Sequence, residues 1–160
     1  DRRWRSRATV LPKRSRSSGV MPSPSRQRLS RFGSGPDRFG LIHGDLRLAN
    51  LLIDGAAVKL LDFDDCGFGW YLYDAATPVS FHEDHPDVPR LIRHWVAGYR
   101  AEGHLSQAEE EEIPSFVILR RLLLVAWVGS HQDADYPRSL GSAFTTASAP
   151  LCRAYLDSHG

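Results

Sequence analysis

Two short stretches, His43-Gly44-Asp45-Leu46-Arg47-Leu48-Ala49-Asn50 and Leu61-Asp62-Phe63-Asp64, carry the residues of this chain best suited to chemistry. Asp45 and Asn50 stand five apart, the interval at which a phosphoryl-transfer loop sets a proton-accepting carboxylate and a metal-binding amide. Asp62 follows twelve residues after Asn50. A carboxylate and an amide carbonyl are hard oxygen donors suited to Mg2+, which keeps several waters and binds substrate phosphates. The chemistry open to such a set is transfer of a phosphoryl group to a hydroxyl, with Asp45 free to accept the proton.

The intervening residues say how these groups meet. Leu51-Leu52-Ile53 reads as a short apolar strand, Asp54-Gly55 as a turn and Val58-Lys59-Leu60-Leu61 as a second strand. A hairpin centred near Ala56 sets Asn50 opposite Asp62, and cross-strand neighbours lie about 5 Å apart. Both oxygens then reach one cation.

At these residues the chain resembles the aminoglycoside phosphotransferase and choline kinase group of kinase-like enzymes. The likeness runs over His43–Asn50, Leu60–Gly69 and Tyr73-Asp74-Ala75-Ala76, and extends more weakly across about residues 36–158. It implies an α+β, mostly α fold: the C-terminal lobe of a protein-kinase-like fold, with one catalytic hairpin packed on a helical bundle. It implies that Asp45 is the catalytic base, that Asn50 and Asp62 hold Mg2+ and with it the nucleotide, that His43 braces the loop and that Asp74 is a structural acid. Arg47 stands where a cation neutralises a phosphoryl oxygen, although pairing with Asp64 or Asp65 serves it equally well. The partners implied are a nucleoside triphosphate, ATP for most such enzymes, and a hydroxylated small-molecule acceptor.

The chain departs from that pattern ahead of His43. A kinase-like site also needs a smaller lobe with a phosphate-covering loop and a Lys on the phosphates. The residues before His43 show no strand periodicity and no Gly-rich phosphate loop, and Lys13 is their only Lys. With the first residue an Asp, the expectation is a truncated phosphotransferase with little activity alone. The alternative is a non-enzymatic pseudokinase remnant that binds divalent metal or protein partners. Either way an uncovered apolar face near the hairpin is expected, and with it self-association.

Composition separates two regions. Residues 1–38 carry 11 Lys+Arg against Asp1 and Asp37, a net +9, whereas the rest of the chain is net −8. Residues 1–35, rich in Arg, Ser, Pro and Gly, read as a disordered basic arm, and residues 36–160 as the catalytic lobe. The arm has too few aromatics for base stacking, which argues against nucleic acid. The acidic bias of the lobe favours a cationic acceptor. No apolar signal-type run opens the chain, and Ile113–Val128 is broken by Arg120 and Arg121, so no membrane partner is expected. Cys66 and Cys152 read as reduced thiols of a cytoplasmic protein.

The helical remainder follows from periodicity. Helices are predicted to begin in Tyr71–Phe81, to run over Asp87–Glu102, and to open at a Ser106–Glu109 capping box and continue to about Gly129, with Pro114 kinking or splitting that stretch. A last helix is expected within Ser142–Ser158, disturbed by Pro150. Trp95, Phe116, Leu123 and Trp127 are expected in one core, and His82-Glu83-Asp84-His85 as a solvated turn.

Overall fold

The structure, a computed structural model, describes residues 23–159. In chain order it contains α1 (Ser23–Phe32), β1 (Phe39–Ile42), β2 (Leu51–Asp54), β3 (Ala57–Leu60), β4 (Gly67–Trp70), α2 (Tyr73–Ala76), α3 (Val88–Glu102), α4 (Gln107–Glu110), α5 (Ile113–Ser130) and α6 (Asp135–His159). Single 3₁₀ turns at Leu48–Asn50 and Thr77–Val79 lead into β2 and out of α2.

Two antiparallel ribbons form rather than one. β2 and β3 make the expected hairpin, pairing from Leu51↔Leu60 to Asp54↔Ala57. Its loop is Gly55-Ala56, with Gly55 at φ 60 where a side chain is disfavoured. β1 pairs with β4, from Phe39↔Trp70 to Ile42↔Gly67. This second ribbon closes the base of the excursion that carries His43, Asp45, Asn50 and Asp62. Its partners lie some 25 to 30 residues apart in sequence, so no local turn signal announces it.

α5 is the centre of the fold. Phe116 is fully buried, with Phe32 at 5.4 Å and Trp70 at 5.8 Å between ring centroids, both edge to face. Around it gather Leu29, Ile42, Leu72, Ala75, Val96 and Leu119. A second cluster, Leu124, Val128 and Phe144, joins the far half of α5 to α6. Trp127 belongs to this second cluster and Trp95 and Leu123 flank the first, all three only partly buried, so the expected single aromatic core is two. The stretch Gln107–Ser130 is long and apolar enough to cross a membrane by length and composition alone. Here it is wrapped by α1, α2 and α6 and carries two buried arginines.

The N-terminal boundary differs from expectation. Within the stretch read as a disordered arm, α1 packs on α5: Leu29 and Phe32 are buried, and Arg28 pairs with Glu112 at 2.7 Å. Leu29 and Phe32 stand three apart, one helical face, and Gly33 at φ 77 ends the helix with its N–H on the Leu29 carbonyl. The Arg/Ser composition outweighed this short apolar pair in the sequence reading. Residues 1–22, the rest of the arm, lie outside the described residues.

The other elements keep their expected signals. The Ser106 capping box is present on both sides, and Pro114 splits the long stretch by opening α5 in its first turn. Gly103 ends α3, but in extended rather than left-handed backbone. α6 is broken at Gly141 (φ 53, ψ −153) rather than at Pro150.

Phe116→Ala is expected to cost about 3–5 kcal/mol, the usual loss on emptying a large aromatic site. Trp127→Ala, at a partly buried position beside the second cluster, should cost distinctly less. Urea unfolding of both variants checks this, and equal losses would show that the second cluster carries as much of the stability as the first.

Candidate active site

The site is built on a loop that only glycine permits. Gly44 sits at φ 81, and a Cβ there would stand 2.6 Å from the Asp65 carbonyl oxygen. The close approach holds the loop against the segment that follows the hairpin. Three polar anchors fix it further. The backbone N–H groups of His43 and Gly44 donate to the two oxygens of Asp74 at 2.7 and 2.9 Å. The Leu46 N–H donates to Thr77 Oγ1 at 3.1 Å. Burial pushes the Asp74 carboxyl up from its ordinary value, while the two N–H bonds, His43 and Arg120 pull it back in part.

His43 ties the loop to the hairpin. Its Nδ1 accepts from the Asp45 N–H at 3.3 Å, so Nε2 carries the proton given to the Leu61 carbonyl at 3.0 Å. The ring lies 4.7 Å from that of Phe63.

Asp45 is buried, at 8% exposure, and both of its carboxylate oxygens accept hydrogen bonds. Oδ2 accepts from Arg47 Nε at 2.9 Å and from Asn50 Nδ2 at 3.0 Å. Oδ1 accepts from Arg120 of α5. Arg47 thus pairs with Asp45, not with Asp64 or Asp65, both of which are exposed. Asn50 Nδ2 also donates to the Asp45 carbonyl at 2.8 Å. Both bonds use the amide nitrogen, which leaves Oδ1 as the atom that can face a cation.

The register of the hairpin is one residue off the expected one. Its loop is centred between Gly55 and Ala56, so Asn50 faces Leu61, whose N–H donates to the Asn50 carbonyl at 2.9 Å. Asp62 stands one residue beyond, exposed, at φ 62. Asp tolerates this left-handed conformation better than most side chains, and it turns the chain out of the ladder. Among the described residues no group of three or more His, Cys, Asp or Glu converges as a metal cage. Asn50 and Asp62 both stand at the open end of the β2–β3 hairpin, just outside its paired residues.

Arg120 was legible only as an interruption of an apolar run. The available signal was physical: a charged residue in a helix apolar all round must be paired where it is buried. Besides Asp45 it reaches Ser80 Oγ at 3.0 Å, the Tyr73 hydroxyl at 3.2 Å and the Gly44 carbonyl at 3.4 Å. Burial pushes the Tyr73 phenol up and Arg120 pulls it part of the way back. Arg121 makes a second buried pair, with Glu83, and donates to Ser148 Oγ at 2.7 Å and the Phe144 carbonyl at 3.1 Å. Glu83 is therefore interior, contrary to the solvated turn expected of His82–His85, while His82, Asp84 and His85 are exposed as expected. Two clefts of about 690 and 510 Å3 lie among α1, α3, α4, α5 and α6, and no residue of His43–Asp62 lines either.

Comparison with known proteins shows the family and the fold. The profile of the "Phosphotransferase enzyme family" matches residues 23–111, and the chain belongs to that family. Over 116 residues it is 30% identical to amicoumacin kinase of Bacillus subtilis (strain 168), which covers 67% of this chain and 34% of the relative. Among solved structures, the microcompartment-associated aminopropanol kinase matches with a TM-score of 0.78 at 48% identity, over 86% of this chain and 43% of its own. The amicoumacin kinase hAmiN, in complex with AMP-PNP, Ca2+ and Ami, matches with a TM-score of 0.60 at 25% identity, over 86% and 46%. The chain thus spans between a third and a half of the length of these relatives. Its fold is that of kinase-like enzymes, α+β and mostly helical.

The Asp74 anchor has a pH signature. A carboxyl whose folded pKa is raised contributes stability that is full below its ordinary value of 3.8 and is lost as pH rises through the raised value. Wild type should therefore lose stability relative to Asp74→Asn as pH rises from 3.8 through that window. Urea midpoints of both proteins across pH check this, and parallel curves would show that Asp74 does not titrate differently on folding.

Proposed function

We propose that this chain carries the base and metal-ligand part of a small-molecule kinase that moves the γ-phosphoryl group of a nucleoside triphosphate onto a hydroxyl. The observation that carries the reading is the Asp45–Asn50 contact, made across one loop at the mouth of a hairpin that ends in Asp62. An ionised carboxylate offers about four lone-pair sites. Arg47, Asn50 and Arg120 take three of those on Asp45, and the fourth is left for an acceptor hydroxyl.

In this reading Asp45 aligns the hydroxyl and takes its proton as the new O–P bond forms and the bond to the leaving β-phosphate oxygen breaks. Asn50 Oδ1 and the Asp62 carboxylate would hold Mg2+, which neutralises charge on the phosphoryl oxygens. Arg47, partly exposed on the same loop, would neutralise charge on a phosphoryl oxygen. An acceptor bearing both a hydroxyl and an ammonium group, an amino alcohol, is favoured by the acidic balance of residues 39–160 and by the 48% identity to an aminopropanol kinase. Positioning supplies most of the rate in phosphoryl transfer, and the residues before His43 carry no phosphate loop. Efficient turnover therefore needs the portion of the relatives that has no counterpart here.

The test joins this chain to that portion of the aminopropanol kinase and measures Mg2+-ATP-dependent phosphorylation of amino alcohols. Asp45→Asn should slow kcat by about 10²- to 10⁴-fold, the usual worth of a general base, with little change in nucleotide affinity. Asp62→Asn should instead raise the Mg2+ concentration needed. Near-normal turnover by Asp45→Asn would remove Asp45 from the base role.

A further inference from the structure

Two consecutive arginines of α5 are buried in the same way and serve different ends. Arg121 is 3% exposed and pairs with Glu83, away from the loop. Arg120 is 9% exposed and reaches into the loop itself, on Asp45 Oδ1 and the Gly44 carbonyl. It also donates to Tyr73, which opens α2, and to Ser80, which follows the 3₁₀ turn after it. The guanidinium is thus tied at four points on two separate segments, the loop and residues 73–80.

Among the described residues the Asp45 carboxylate has no other anchor outside its own loop: its remaining partners, Arg47 and Asn50, lie two and five residues along the same chain. Arg47 is the more exposed of the two arginines, its side chain 30% exposed against 11% for Arg120. A partner that moves with the loop cannot set the carboxylate against the rest of the fold. A fork held on the central helix can, because its planar donors fix direction as well as distance.

We propose that Arg120 is the positioning residue of this site: it fixes the orientation of the Asp45 carboxylate relative to the helical core, and so selects the lone pair of Oδ1 left for the acceptor. The proposal rests on the phosphotransfer reading for its kinetic consequence but not for its structural one. It assigns to α5, more than seventy residues from Asp45 in sequence, a part in aligning the reacting groups.

The test uses the 160-residue chain and three variants: Arg120→Met, Arg120→Lys and, as a control of equal burial on the same helix, Arg121→Met. Crystal structures are compared first. In Arg120→Met the backbone of residues 43–50 should keep its course while the Asp45 carboxylate leaves its place beside Asn50. In Arg121→Met it should stay. Lys reaches only one of the Arg120 partners at a time, so Arg120→Lys should show Asp45 in more than one orientation. Single-turnover transfer from Mg2+-ATP to an amino alcohol is measured next, in the same variants joined to the remaining portion of the aminopropanol kinase. Arg120→Met should lower the rate about 100-fold, the order expected for a misplacement near 1 Å, at an unchanged nucleotide concentration for half-saturation. Arg120→Lys should recover part of that loss. Arg121→Met should lower the melting temperature comparably yet keep the rate within about threefold of wild type, well short of the 100-fold expected for misplacement.

An Asp45 carboxylate unmoved in Arg120→Met overturns the proposal, as do equal rate losses in Arg120→Met and Arg121→Met, which would reduce Arg120 to fold support. If Arg120→Met does not fold, Arg120→Lys decides: a single, unmoved Asp45 overturns the proposal. If the joined wild type transfers no phosphate, the phosphotransfer reading fails, and the crystal structures of the 160-residue chain still decide the positioning role.

Discussion

A carboxylate cannot remain ionised at 8% exposure without compensating charge, and most of this fold can be read as the means of supplying it to Asp45. Arg47 comes from the loop and Arg120 from the core. Arg120 in turn requires a helix at the centre of the domain, a hydroxyl from Tyr73 and another from Ser80. α2 and its 3₁₀ extension present those hydroxyls, and the same stretch offers Asp74 and Thr77 to the loop backbone. One short segment, residues 73–80, therefore anchors the loop from beneath and the arginine from the side.

The two ribbons divide the remaining work. β1 and β4 clamp the base of the excursion, and β2 and β3 carry Asn50 to its mouth. Their outer faces are strongly apolar: Leu41, Ile53, Val58, Phe63 and Phe68 are each more than half exposed. Isolated apolar side chains on a surface need no explanation, but a concentration of them on adjoining strands marks a face suited to being covered. The longer relatives, of which this chain spans less than half, offer a physical context for that face.

The helical side is held by ordinary packing with a few charged pins. Phe116 lies between Phe32 and Trp70 and joins α1 and the β1–β4 ribbon to α5. Arg28–Glu112 and Arg38–Glu109 pin the same region from the surface at 2.7 and 3.0 Å. Glu109 also closes the Ser106 capping box, and with these contacts its carboxyl lies below the ordinary value despite its burial. Surface pairs of this kind add little stability singly; here they orient α1 and α4 around the core.

What the sequence determined by itself is local. The spacing of Asp45, Asn50 and Asp62, the Asp54-Gly55 turn, the Ser106 cap and the apolar stripe of α3 rest on interactions within a few residues of each other, and such interactions are written in order along the chain. The tertiary structure decided what depends on distant partners. The β1–β4 ribbon joins strands without a connecting turn. α1 is stabilised by a core that its own Arg/Ser composition does not reveal. Glu83 and Arg120 are interior because Arg121 and Asp45 are there to neutralise them. Even the hairpin register turned on a single residue: a two-residue loop at Gly55-Ala56 moved Asn50 from Asp62 to Leu61. A strand shows alternate faces at successive positions, so that one step decides which side chain meets which. The loop geometry that makes it is set only when the ladder closes.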